Sequence, residues 1–73
     1  MRDINTLLAG ILEVEKVYDE DGLDTFEAWD SLAVLSLMFM VDEEYGVIIR
    51  NDEIKSAKTI GDLKSIIREK LGG

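Results

Sequence analysis

Ile4, Leu7, Leu8, Ile11 and Leu12 recur at offsets 0, 3, 4, 7 and 8, the one-face spacing of an amphipathic helix. Asp3 precedes the run with a carboxylate suited to capping and to the positive end of the helix dipole. Gly10, inside the run, costs about 1 kcal/mol against alanine and is read as a place where a neighbouring helix comes close. The spacing predicts a stop between Glu15 and Asp19. Residues 17–29 carry no helical period and read as a long ordered loop. Loops beyond about 12 residues are uncommon in compact domains unless functional or pinned, and Leu23, Phe26 and Trp29 are the expected pins, tucked against the first and second helices.

A second helix is predicted from about Asp30 to Tyr45. Asp30 caps it, Ser31 is its first residue, and Trp29 and Val34 have the spacing of a hydrophobic staple. Gly46 is the expected C-terminal stop. Its apolar residues run round most of the helix, which calls for cover on several sides. Leu32, Leu35, Met38, Val41 and Tyr45, with Leu37 beside them, are assigned to the core. Ala33, Val34, Ser36, Phe39, Met40, Asp42 and Glu43 then fall to the margins and the exposed side, where Phe39 and Met40 would form an apolar contact patch. Val47, Ile48 and Ile49 read as loop side chains inserted into the core, because one lone strand has nothing to pair with. Asn51 or Asp52 begins a short helical turn through Ile54. Thr59 and Asp62 have capping-box spacing at the start of the last helix. Ile60, Leu63, Ile66, Ile67 and Leu71 mark its apolar face, Lys64, Arg68 and Lys70 suit its C-terminal half, and Gly72 and Gly73 end it. The expectation is one domain over residues 1–73, a small all-α four-helix bundle of three main helices plus one short helix, with a long first loop.

Composition narrows the chemistry. Seventy-three residues bury only about 60% of their unfolded surface. The chain has no cysteine and no histidine, which removes thiol nucleophiles, disulfides, the common zinc sites and the usual general base. Reactive chemistry would have to be imported, which points away from an enzyme and leaves catalytic residues at none. Asp19, Asp21 and Gly22 hint at a calcium loop. With Gly22 in the sixth position, however, Val17 and Ala28 fall where carboxylates are required, so no metal is expected.

The net charge of −8 is unevenly spread. Residues 1–45 set twelve carboxylates against Arg2 and Lys16, a balance of −10, while the remainder sets four against six cations, a balance of +2. Such a field repels nucleic acid and anionic membrane and attracts basic protein surfaces. No stretch has the length of a membrane span, and the first residues lack a signal-peptide pattern. A cytoplasmic monomer is the default expectation.

Asp30-Ser31-Leu32, followed by an apolar helix that closes with Asp42-Glu43-Glu44-Tyr45-Gly46-Val47, resembles the Asp-Ser-Leu helix of acyl carrier proteins and related thiolation domains. The likeness extends to Ile54 and to the helix beginning near Thr59, and so covers most of the chain. It implies that Ser31 is esterified by 4′-phosphopantetheine from coenzyme A through a phosphopantetheinyl transferase, and that the thiol of this arm carries acyl groups as thioesters. A hydroxyl in a first helical turn lies beside unpaired N–H groups, where a phosphodiester anion is tolerated. The resemblance places Asp30 near the metal-bound phosphates of the modifying synthase and Leu32 beside the attachment point.

It also makes the second helix the surface for acyl-transferring and acyl-modifying enzymes with basic docking sites, through Val34, Ser36, Phe39, Met40, Asp42 and Glu43. A long acyl group would enter between the second helix and the later ones, along Leu35, Met38 and Val41. Three departures stand out. Trp29 replaces the glycine usual before Asp-Ser-Leu, and Arg50 or Asn51 replaces a frequent proline. Ala33 and Ser36 occupy places where carriers of bacterial fatty acid synthesis usually have carboxylates. The expectation is therefore a specialised carrier with dedicated partners. An aminoacyl or peptidyl carrier of the same family, and an unmodified acidic adaptor for basic proteins, remain open.

Overall fold

The computed structural model describes residues 3–72. Four α-helices follow one another, α1 (Ile4–Leu12), α2 (Ser31–Tyr45), α3 (Asn51–Ser56) and α4 (Ile60–Lys70), with a single 3₁₀ turn at Leu23–Thr25 in the long first connection. There is no β-sheet among the described residues, only an isolated bridge between Gly22 and Thr59. α1 packs on α2, α2 on α3 and α3 on α4. Leu7, Leu8 and Leu12 of α1, Leu37 and Val41 of α2, and Ile60, Leu63 and Ile67 of α4 meet in one buried cluster. Ile54 of α3 and Ile49 from the preceding loop close it.

The helix starts follow their capping residues. Asp3 accepts from the Asn5 N–H at 3.1 Å, and Asp30 Oδ1 accepts from the Ala33 N–H at 2.9 Å. At α4 the reciprocal box is complete: the Asp62 N–H donates to Thr59 Oγ1 at 3.2 Å, and the Lys58 and Thr59 N–H groups donate to Asp62 Oδ2 at 2.9 and 3.2 Å. Those two backbone donors hold the Asp62 carboxyl below its ordinary 3.8. A lowered folded-state value means the contribution is complete above the unfolded pKa and disappears as pH falls through the folded one. Asp62→Ala is therefore expected to lower Tm at pH 7, with the gap from wild type closing as the pH falls below about 4. Thermal melts of both chains from pH 7 to pH 3 check this, and a gap of constant size would contradict it.

Gly46 ends α2 with φ of 69°, the left-handed conformation that favours glycine. α1 stops earlier than its sequence predicts. Glu13 takes a left-handed conformation, φ 59°, and the Val14 N–H turns back to the Ala9 carbonyl at 3.0 Å. Gly10 is exposed, and a Cβ there would meet nothing within 4 Å, so the expected close helix approach is absent.

The long loop is pinned as expected at Leu23, which is buried, and at Phe26 and Trp29, which pack partly buried on the core. Backbone bonds add a second fastening. The Leu23 N–H donates to the Lys58 carbonyl at 2.9 Å, the Ile60 N–H to Asp21 at 3.0 Å and the Gly61 N–H to Asp19 at 2.9 Å. The first N–H groups of α4, which have no partner inside their own helix, are thus satisfied by loop carbonyls. Lys64 of α4 extends the same fastening. It is only 8% exposed, and its Nζ donates to Asp19 Oδ1 at 2.7 Å, which holds the Asp19 carboxyl below its ordinary value. Further along α4, Lys70 pairs with Glu53 at 3.0 Å and joins α4 to α3.

The register of α2 differs from expectation. Its buried side chains are Ala33, Leu37 and Val41, whereas Leu32 and Leu35, assigned to the core, are 72% and 60% exposed. Steps of three fall about 60° short of a turn on a helix of about 3.6 residues per turn, so Leu32 and Val41 stand on opposite sides. Steps of four overshoot by only about 40° and keep Ala33, Leu37 and Val41 on one side. Met40, expected in the exposed patch, is half-buried against the core. Leu71, assigned to the α4 face, is 46% exposed because it lies just beyond the helix. α3 continues to Ser56, one residue past Lys55, and does not end at Ile54.

Candidate functional site

Ser31 is the first residue of α2 and is exposed. Its environment contrasts with the start of α4. Asp30 serves the third N–H of α2, while the Ser31 and Leu32 N–H groups have no partner among the described residues. The positive end of a fifteen-residue helix is therefore open at the hydroxyl, where an oxyanion is favoured.

Ser31 also stands on the rim of an open groove of about 430 Å³ between α2 and α3. Trp29, Val34, Leu35 and Met38 supply its apolar surface, and Asn51 and Lys55 contribute a polar wall from α3. Trp29 and Val34, the expected staple pair, both face this space. Of the three residues expected to line a space for an acyl chain, Leu35 and Met38 do so. Val41 does not, because it is fully buried in the core.

The outer face of α2 holds Leu32, Leu35 and Phe39, the last 64% exposed, with Asp42 and Glu43 exposed at its C-terminal end. Ser36 is exposed beside this stripe, and Val34 is half-buried toward the groove. The structure thus brings Asp30, Ser31 and Val34 together at the groove. Ser36, Phe39, Asp42 and Glu43 lie along the outer face, and Met40 turns partly inward. Leu32 belongs to the exposed stripe and does not line the groove. Sequence reasoning missed Asn51 and Lys55 as groove residues. Their spacing of four on one short helix was the available signal, but a predicted end at Ile54 left Lys55 outside the helix.

No protein-family model matches the chain. Among curated proteins, the acyl carrier protein of Arthrobacter sp. (strain FB24) is 36% identical over 56 residues, 77% of this chain and 63% of that protein. The acyl carrier protein of Myxococcus xanthus is 31% identical over 72 residues, 84% of this chain and 89% of that protein. That of Micrococcus luteus is also 31% identical, with 84% of this chain and 86% of that protein covered. The match to the Arthrobacter protein therefore spans less than two thirds of that protein's length, while the other two are covered nearly end to end. The solution structure of a holo acyl carrier protein from Geobacter metallireducens superimposes with a TM-score of 0.78 at 21% identity, covering 94% of this chain and 82% of that one. At that identity the likeness speaks to the fold.

Fold and groove together define a small helical domain that offers a hydroxyl at an open helix start. On the sequence relatives, the chain belongs to the acyl carrier protein family. Members of that family are carriers and not enzymes. Among the described residues, no helix is long and apolar enough to cross a membrane.

Proposed function

We propose that this chain holds acyl groups on a 4′-phosphopantetheine arm esterified to Ser31 and presents them to a dedicated set of enzymes. The observation that carries the reading is the position of Ser31, exposed at the open start of α2 and on the rim of the α2/α3 groove. The residues fit the group. Unpaired Ser31 and Leu32 N–H groups suit a phosphodiester, and the apolar surface of Trp29, Val34, Leu35 and Met38 suits the slender arm and an acyl chain. When attached, the arm supplies the thiol that a chain without cysteine lacks, so acyl groups are carried as thioesters.

The chain's own residues position and expose. Asp30 fixes the start of α2 through its bond to Ala33, and Trp29 flanks the hydroxyl where a smaller residue would leave open space. The exposed stripe of Leu32, Leu35 and Phe39, ending at Asp42 and Glu43, fits enzymes whose docking sites combine an apolar centre with a basic rim. Dedicated partners are favoured because the exposed face of α2 carries Ser36 where carriers of bacterial fatty acid synthesis usually have a carboxylate, while Ala33, the other such place, is turned into the core.

The test is incubation of the whole chain with coenzyme A, magnesium and a promiscuous phosphopantetheinyl transferase. A mass gain of one arm is expected. An unchanged mass, under conditions that modify a control carrier, would overturn the reading in favour of an unmodified adaptor.

A further inference from the structure

We infer that Lys55, with Asn51 beside it, takes the phosphodiester of the arm and lays the arm along the α2/α3 groove; this rests on the proposed attachment at Ser31. Lys55 is the one cation lining the groove that Ser31 borders. It has no ion pair or hydrogen bond among the described residues, whereas Lys64 and Lys70 are committed to Asp19 and Glu53. Asn51 lies one helical turn before it on α3 and lines the same groove, its side-chain amide likewise without a partner among the described residues.

Charge gives this wall its occupant. Modification of Ser31 adds an anion next to the Asp30 carboxylate, within residues 1–45, whose balance is already −10. Like charges at that spacing repel, and a cation facing the same groove offsets them. A lysine has the reach of four methylene groups and freely rotating donors, and a side-chain amide adds two neutral ones. The groove surface between them is apolar, so an arm anchored at its phosphate and laid inward covers Val34, Leu35 and Met38. Lys55 and Asn51 are exposed, and exposed pairs are weak and screened by salt. The arm is therefore held only for part of the time and released readily. Lys55 is thus a positioning residue, and its effect fades as ionic strength rises.

Phosphorus NMR of the loaded chain tests this directly. In the wild type the phosphodiester resonance is expected to lie away from its position in the same loaded chain unfolded in urea, and to move toward that position at high salt. Lys55→Ala should bring most of that shift at low salt, Lys55→Arg should retain the wild-type position, and Asn51→Ala should fall between. Circular dichroism confirms that the variants keep their helices, and intact mass confirms loading before each spectrum. A fully loaded, folded Lys55→Ala chain with the wild-type phosphorus shift and salt response overturns the inference while leaving attachment at Ser31 standing. A wild type that takes up no arm overturns both.

Discussion

Leu37→Ala is expected to cost about 2 to 5 kcal/mol, while Leu35→Ala, two positions away on the same helix, is expected to stay within about 0.5 kcal/mol of wild type. Leu37 is completely buried in the core cluster, and Leu35 is 60% exposed on the rim of the groove. Truncating Leu37 removes its packing and leaves a cavity that the rest of the buried cluster only partly fills. Truncating Leu35 removes mainly contacts with water, and alanine is a slightly better helix former than leucine. For a domain of this length the total stability is about 4 to 11 kcal/mol, so the Leu37 variant loses a large share of it. Its Tm should fall by roughly 13 to 33 °C. Thermal melts of the two variants decide which face of α2 is inside: equal losses, or a larger loss at Leu35, would contradict the observed register.

Ser31→Ala is expected to abolish uptake of the arm completely, and Ser36→Ala to leave it at the wild-type level. Both serines are exposed on α2, so exposure alone does not separate them. Ser31 lies in the first turn, next to N–H groups without partners, and borders the groove. Ser36 lies more than a turn further on, where the backbone donors are used within the helix, and does not reach the groove. Neither change removes a core contact or the cap of Asp30, so both variants should melt near the wild-type temperature. Intact mass after the transferase reaction is the readout. A modified Ser31→Ala chain, or an unmodified Ser36→Ala chain, would move the attachment point.

What was legible in the sequence was local chemistry. The starts of α1, α2 and α4 follow from Asp3, Asp30 and the Thr59–Asp62 box because a cap acts over three residues. The end of α2 follows from Gly46 because the left-handed stop that favours glycine is likewise a local feature. The inward face of α2 was not legible. Five consecutive apolar residues, Leu37 to Val41, leave no polar side to orient the helix, so the surrounding elements choose the face. They choose the one with small Ala33 on it, exposing two larger leucines in exchange. A regular count of three along the chain conceals this, because it walks round the helix.

The buried Lys64 was equally hidden, since its partner Asp19 lies 45 residues away in a loop whose backbone satisfies the start of α4. At the site, Ser31 stood out through its Asp-Ser-Leu context, whereas Lys55 and Asn51 gain meaning only when α3 is set across the groove. Leu32 and Leu35 trade a predicted place in the core for an exposed one. The apolar contact surface therefore consists of Leu32, Leu35 and Phe39, with Met40 half-buried against the core.

Fragmentation mass spectrometry of the unmutated, transferase-treated chain reads the central claim most directly, because it locates the added arm on a residue without altering any side chain. One phosphopantetheine carried on the fragment ending in Trp29-Asp30-Ser31, and absent from fragments that stop at Asp30, is the predicted result. An arm found on Ser36, Ser56, Ser65 or any other hydroxyl, or no arm at all beside a modified control, would contradict it.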